Sequence, residues 1–398
     1  MSGNWRSRAL GLIIGAFLVL MIINFAGAIG PDARSLGMGG AGTATADGAS
    51  AIYWNPANLA LNSGRISLLV GTGVEVSNSI LTVGDIQRLI SGADINVFRS
   101  QLETNGLTID SQMIGGLGLS FGSLGMAGLP SGSANGVTDG GFWKVLFILM
   151  NGEIPTPGTY TGAGNISYSL VNAYTLSYAR KISLPGIPLA VGISGKWLSG
   201  MSYGDTTAQF NFTPPVADPA QNYIITKEAT DGTGVAVDLG LGMKLSSLIQ
   251  VGLVLENLTG SMQWNGTTTR NEITGFDGSG NPIISETVVP ETYQATLPPV
   301  TRLGIAFRPP IIGLILAGDV RLASGRTTYH LGLEWPLWFF ALRAGYASDP
   351  TGGTGMFSAG LGINLLTFHL DFAVASPTIT DYNSAKAAKF ALSGGLRF

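Results

Sequence analysis

The stretch VAVDLGLGMK, Val235 to Lys244, decides the architecture of this chain. Val235, Val237, Leu239, Leu241 and Met243 alternate with Ala236, Asp238, Gly240, Gly242 and Lys244, so an extended strand puts every large apolar side chain on one face. One face suits lipid, and the other is small and polar, as the wall of a membrane β-barrel requires. The same alternation recurs in Val251, Leu253 and Leu255, in Leu303, Ile305 and Phe307, in Tyr329, Leu331, Leu333 and Trp335, and in Phe368, Leu370, Phe372 and Val374.

Working outward, the pattern gives fourteen strands, near 64–77, 112–122, 124–132, 164–181, 187–203, 232–245, 248–263, 299–309, 312–324, 327–336, 338–348, 354–365, 367–377 and 387–398. An even number is what a bacterial barrel with both termini in the periplasm needs. With the first strand running outward, the connections at 123, 182–186, 246–247, 310–311, 337 and 366 are periplasmic, and all are short. The long connections at 78–111, 133–163, 204–231 and 264–298 then fall outside, as such barrels prefer. The expected fold is therefore all-β: a closed antiparallel transmembrane β-barrel of 14 strands, with no unpaired edge left to aggregate.

Composition agrees. Charged residues make up 11% of the 398, hydrophobic residues 45%, and glycines number 58. No apolar run after residue 28 is long enough for a spanning helix. Residues 1–28 have the form of a secretory signal peptide, with Arg6 and Arg8, an apolar core from Ala9 to Ile23 and an Ala26-Gly27-Ala28 cleavage site. Without the two arginines, 19 basic residues face 24 acidic ones, a net charge of −5. No basic field exists to attract nucleic acid. The absence of cysteine excludes disulfides and thiolate chemistry.

Between leader and wall lies Ile29 to Ala60, IGPDARSLGMGGAGTATADGASAIYWNPANLA, which follows neither a strand nor a helix period. It reads as an N-terminal plug (29–60) inside a barrel formed by 61–398. Its candidate gate residues are Arg34, Gly39, Gly40, Asp47, Trp54, Asn55 and Pro56. Asp32, Arg34 and Asp47 are candidate partners for wall charges.

Three segments carry a family likeness: Ala33-Arg34-Ser35-Leu36-Gly37-Met38-Gly39-Gly40-Ala41, Ala46-Asp47-Gly48-Ala49-Ser50-Ala51, and Tyr53-Trp54-Asn55-Pro56-Ala57-Asn58-Leu59-Ala60. Together they resemble the mature N-terminus of FadL/TodX-type outer-membrane proteins, and most of all the PorV/PorQ-type barrels. The resemblance implies a fourteen-stranded barrel with an N-terminal hatch. It implies two different functions, because FadL-type members pass fatty acids and aromatic hydrocarbons whereas PorV-type members are partners in secretion and surface attachment.

Enzyme chemistry is not expected, and neither is a cofactor or metal. His330 and His369 sit on separate strands, no HExxH or G-x-S-x-G motif occurs, and the glycine strings lack a following Lys-Ser/Thr. Charges on the inward face are expected to pair across strands or to line a polar path, chief among them Asp238, Glu256, Arg302, Asp319, Arg321, Glu334, Arg343 and Asp371. Leu89 and Phe98 lie in the helically spaced stretch Gly84 to Leu102. Phe142, Trp143, Leu146 and Phe147 lie in the apolar run Phe142 to Met150. Exposed apolar loops of this kind mark an interaction site, so they are candidate capture residues for hydrophobic cargo, or else a loop folded inward over the pore.

The sequence thus points to a multi-pass barrel of the bacterial outer membrane, surrounded by its lipid. Its final strand, ending in Phe398, offers a signal to the barrel assembly machinery. Uptake of small hydrophobic molecules is the favoured function, with a secretion or structural partner role as the alternative.

Overall fold

In a computed structural model, the residues described are 32–61, 66–151, 153, 156–184, 187–214, 216–278, 282–310, 313–350, 355–378 and 384–398. The expected signal peptide lies outside them. The first wall strands are β1 (Ile66–Asn78), β2 (Leu107–Phe121), β3 (Leu124–Thr138), β4 (Tyr160–Leu184) and β5 (Ile187–Thr213). A two-residue strand β6 (Val216–Ala217) precedes β7 (Tyr223–Lys244), β8 (Ile249–Phe276) and β9 (Pro282–Thr296). The wall continues through β10 (Val300–Phe307), β11 (Ile315–Ala323), β12 (Arg326–Leu337), β13 (Phe340–Ser348), β14 (Met356–Leu365), β15 (Phe368–Ser376) and β16 (Ala387–Arg397).

Each strand pairs antiparallel with its neighbour, β16 returns to β1, and β8 pairs with both β7 and β10. Fourteen strands therefore close the ring. β6 and β9 stand off it, β6 on β5 and β9 on the upper part of β8. All fourteen expected strands exist. Strands β4, β5, β7 and β8 run to 22–28 residues, well beyond the lengths expected. A membrane strand needs only about 9–11 residues, so one side of the wall stands tall above the bilayer. In the sequence these extensions look like loops, because apolar-against-small alternation gives way to Thr, Asn, Gln and Glu once a strand leaves lipid.

Burial follows the alternation. Val235, Leu239 and Leu241 are exposed to the lipid side, whereas Ala236, Asp238, Gly240 and Gly242 are buried inside. The stretch ahead of β1 is not irregular throughout. It contains three short helices, α1 (Ala33–Gly37), α2 (Ala51–Trp54) and α3 (Asn58–Leu61), each too short to show a helical period.

Three more helices lie in outer connections: α4 (Val83–Ile90), α5 (Arg99–Asn105) and α6 (Gly140–Asn151). The stretch from Gly84 to Leu102 is thus broken. Gly92, at φ +96°, ends α4 in the left-handed region where glycine is favoured.

Candidate functional site

The plug is tied to the wall by polar side chains. Arg34 in α1 donates to both oxygens of Glu334 on β12, at 2.7 and 2.9 Å, and through its third nitrogen to the Thr45 carbonyl at 3.1 Å. Glu334 also accepts from Arg343 Nε on β13 at 2.6 Å, and Arg343 reaches Asp371 on β15 at 2.7 Å. This chain of four alternating charges is buried, and Arg343 keeps only 3% of its side chain exposed. Burial by itself would lower the Arg34 pKa, but the Glu334 carboxylate outweighs it and holds the guanidinium well above its ordinary value.

Further ties follow the ring. The Ala33 N–H donates to Ser393, the Gly39 N–H to Ser358, and the Thr43 N–H to Asp319 at 2.8 Å. Ser358 in turn donates to the Gly37 carbonyl, and His330 Nδ1 lies 2.7 Å from the Gly39 carbonyl. Asn55 donates to the Leu241 carbonyl, Gln250 to Asn58, and Lys244 to the Leu61 carbonyl. Arg397 pairs with Asp47 at 3.1 Å. Burial would raise the Asp47 carboxyl, yet Arg397 and then Arg34 bring it below the usual range.

Close backbone approach makes this possible. A side chain on Gly345 would strike Met38 and Gly39, and Gly39 itself has a φ of +68°.

Of the expected plug partners, Arg34 and Asp47 reach the wall. Asp32 instead serves the plug, accepting from the Arg34 N–H, Ser35 and Ser50. Trp54 stacks under Arg302, whose guanidinium lies 4.9 Å from the ring and pairs with Glu256 at 2.5 Å. The indole covers Gly42, where no side chain fits. Gly40 lies against His330, and Pro56 packs on Gly240 and Gly192. Asp238 pairs with Lys196 at 2.6 Å. Arg321 stands beside Arg302 in register on the inner face. The serines and amides that hold the plug, Ser358, Ser393, Asn58 and Gln250, went unnoticed in the sequence because single small polar residues on a lumen face carry no distinguishing pattern.

The apolar loop residues are not exposed. Leu89, Phe98, Phe142, Trp143, Leu146 and Phe147 are all buried in one cluster with Tyr160, Phe210, Phe212 and Ile273. Tyr160 shares its face of β4 with the lipid-exposed Tyr174, Leu176 and Tyr178. Helix α6 therefore packs on the outward side of the tall wall, where α4 to α6 form a collar. The expectation of an exposed run is corrected here: what covers the run is an aromatic strand face above the membrane. Asp139 caps α6, accepting from the Phe142 N–H at 2.7 Å, and the Trp143 indole donates to Thr138. Arg99 of α5 ties the collar to Glu153, whose carboxyl is held at about 2 by that hydrogen bond.

Strands β2 and β3 carry a gap. Pairing runs from Leu107↔Thr138 to Ile114↔Ser131 and resumes at Leu117↔Gly128 in the same register, leaving Gly115–Gly116 and Leu129–Pro130 unbridged. Pro130 has no N–H to give. Another interruption, between β5 and β7 at Met201–Ser202, accompanies an extra residue in β5.

The β2–β3 gap has apolar side chains on both sides. Inside, the plug's Tyr53 hydroxyl sits against Gly116 and Gly118, without a hydrogen-bond partner among the described residues, and burial raises its pKa. Leu129 stands beside it and pairs with Ala173, which with Val171 joins the lumen cluster of Leu198, Met262, Tyr203, Trp264 and Tyr293. Outside, a cavity of about 110 Å³ is lined by Met113, Gly132, Ala134, Tyr168 and Leu170 among others. Along β2 the order is collar contact at Leu107 and Ile109, cavity at Ser111 and Met113, gap at Gly115–Gly116, and lipid belt from Leu117. Among the described residues no group of three or more His, Cys, Asp or Glu is placed to hold a metal ion.

Comparison with known proteins adds the following. A family model described as "F plasmid transfer operon, TraF, protein" matches residues 160–319. No curated protein matches the chain. Among solved structures, the Ralstonia pickettii toluene transporter TbuX superposes with a TM-score of 0.54 at 12% identity, covering 93% of this chain and 98% of that one. The Pseudomonas putida toluene transporter TodX gives 0.51 at 12%, over 92% and 96%. The CymD monoaromatic hydrocarbon channel gives 0.51 at 13%, over 93% and 96%. At such identities the likeness is one of fold: a closed fourteen-stranded barrel of outer-membrane type with an N-terminal helical segment.

Proposed function

We propose that this chain is an outer-membrane channel for small hydrophobic molecules, passing them sideways through the wall between β2 and β3. The observation that carries the reading is the unbridged step at Gly115–Gly116 and Leu129–Pro130, with a packed apolar cluster on its lumen side and an apolar cavity on its lipid side. The cavity, about 110 Å³, is smaller than the roughly 150 Å³ apolar cavity that takes up benzene, which limits the cargo to compounds no larger than a single ring. Tyr53 and Leu129 are the gate. The proposed path enters the lumen, crosses the Tyr203, Trp264 and Tyr293 cluster, and leaves past Leu129 into the outer leaflet.

The names of the similar channels, toluene and monoaromatic hydrocarbon transporters, support this class of cargo. The collar residues expected to capture cargo then serve instead to brace the wall above the gap. Phe398 is the residue through which assembly machinery would read the last strand, and no enzymatic step is needed.

The chain has no cysteine, so Gly115→Cys with Pro130→Cys places one thiol pair across the gap. Directly opposed strand residues lie within disulfide range. Oxidation should abolish uptake of radiolabelled toluene into cells, and reductant should restore it. Uptake that ignores the redox state would sink the lateral route.

The partial TraF match favours a second reading, a non-transporting barrel that serves a transfer or secretion assembly. A stoichiometric protein that co-purifies, with no toluene flux into proteoliposomes, would select it. The PorV/PorQ-type resemblance of the plug motif belongs to the same reading.

A further inference from the structure

Two periplasmic hairpin turns break the rule that such turns are small and polar. Strand β12 ends at Leu337 and β13 begins at Phe340, leaving Trp338-Phe339 as the loop. Strand β14 ends at Leu365 and β15 begins at Phe368, leaving Leu366-Thr367. In each loop the first residue has a positive φ, 56° at Trp338 and 52° at Leu366. Two-residue hairpins place Gly, Asn or Asp in such positions, because a branched or bulky side chain is disfavoured there.

The same barrel follows that rule elsewhere. The β2–β3 turn is Gly122-Ser123, with Gly122 at φ +56°, and the outer β11–β12 turn is Ser324-Gly325, whose Ser324 also has a positive φ, 49°, but is small and polar. The two exceptions are also exposed. Trp338 is 98% exposed and Leu366 wholly so. Neither side chain gains packing that offsets its backbone.

From this we infer that the β12–β13 and β14–β15 turns are membrane anchors, seated in the headgroup region of the inner leaflet. The apolar surface does not stop at the strand ends. Leu337, Phe339, Phe340, Leu365 and Phe368 are exposed and continue the lipid belt formed by Trp335, Leu342, Leu361 and Leu370 into the turns. No charged residue occurs in 335–342 or in 361–368, so nothing in either hairpin draws it out into water or steers a charged protein onto it. Indole rings favour the membrane interface. An apolar turn in that layer recovers by burial what its backbone loses. In the fourteen-strand ring the β12–β13 turn stands six strands, and the β14–β15 turn four, from the β2–β3 turn, which is the ordinary Gly122-Ser123. The barrel therefore sits deeper in the inner leaflet on the β12–β15 side than on the gap side.

Indole fluorescence tests this on the whole protein. Among the described residues, changing Trp197→Phe and Trp335→Phe removes the other indoles exposed on the lipid side, while Trp143 and Trp264 stay buried and Trp54 faces the lumen; Trp5 is changed to Phe as well. The protein is then reconstituted in phosphatidylethanolamine and phosphatidylglycerol vesicles with bromine on the upper acyl chain. Emission should be quenched and shifted to shorter wavelength, and Trp338→Asn should abolish the quenched component. Emission quenched by aqueous iodide but not by bromolipid would overturn the inference and leave the turns facing water or a protein.

Trp338→Gly with Leu366→Gly provides a second reading. Midpoints of urea unfolding should fall in vesicles but not in detergent micelles. An equal fall in both would mean a structural role only, and would also overturn the inference.

Discussion

Neutralising one wall carboxylate should loosen the plug without unfolding the barrel. Glu334 accepts two hydrogen bonds from Arg34 and one from Arg343. Glu334→Gln keeps the shape but leaves two buried guanidinium groups with Asp371 as the remaining carboxylate of the chain. Breaking a buried pair from one side costs about 3–5 kcal/mol. Part of that falls on the wall at Arg343. The part charged to plug docking is the loss of the Arg34 bonds, about 1.5–3 kcal/mol for charge-assisted contacts.

At about 1.4 kcal/mol per tenfold, the undocked population should rise roughly 10- to 150-fold. Docking would still survive, because the contacts to Ser393, Ser358, Asp319, Leu241 and Arg397 are untouched. Planar-bilayer recording should show brief openings at a correspondingly higher rate, and trypsin should cut after Arg34 more readily. Asp371→Asn is the control: it disturbs Arg343 but no plug residue, so it should lower the unfolding midpoint without raising the opening rate. Equal opening rates in Glu334→Gln and the unaltered protein would refute the reasoning.

Other expectations follow from single contacts. Gly345→Ala should block seating of the Met38–Gly39 backbone and give a barrel that assembles with its plug accessible to protease. Phe147→Ala, at a fully buried collar position, should cost about 3–5 kcal/mol and be seen as faster hydrogen exchange across α5 and α6 with the barrel amides unchanged. Because the Glu153 carboxyl is depressed to about 2, its tie to Arg99 is present above the ordinary glutamate range and is lost as pH falls through about 2. Pepsin cleavage of the collar, normalised at each pH to the rate on an unstructured peptide, should therefore stay low at pH 4 and climb only toward pH 2, whereas in Glu153→Gln that normalised climb should be absent.

The wall was legible because lipid imposes a strict period. Val235 to Lys244 had to alternate, and its faces lie as read. The extensions of β4, β5, β7 and β8, and the whole of β9, were not legible, since water on one side and a collar on the other impose no single apolar face. Tyr160, Ala208, Phe210 and Phe212 did carry a period of two, but they sat in segments whose intervening residues looked like loop. The plug was recognised from Arg34, Asp47 and Trp54. Its wall partners were foreseeable only where they are charged, as with Glu334 and Asp319. The collar is illegible for a related reason: the apolarity of Phe142 to Met150 says that something must cover it, not that the cover is this chain's own strand face.

The relative cost of the two exits decides which one the proposed channel uses. Driving the plug out means separating Arg34 from Glu334 and Arg397 from Asp47, and breaking the hydrogen bonds at Ser393, Ser358, Asp319 and Leu241. Apart from the part-exposed Arg397–Asp47 pair, each is a contact whose buried partner is left unsatisfied, at about 1–3 kcal/mol apiece. Opening the wall at Gly115–Gly116 starts from a step that no backbone pair bridges, so only the flanking pairs Ile114↔Ser131 and Leu117↔Gly128 must part. It also asks two side chains to move, Leu129 and a Tyr53 whose hydroxyl has no hydrogen-bond partner among the described residues. Even a strained rotamer costs about 0.5–1.5 kcal/mol. A plug fastened this firmly is a floor, and its part in passage is to present Tyr53 to the gap rather than to leave.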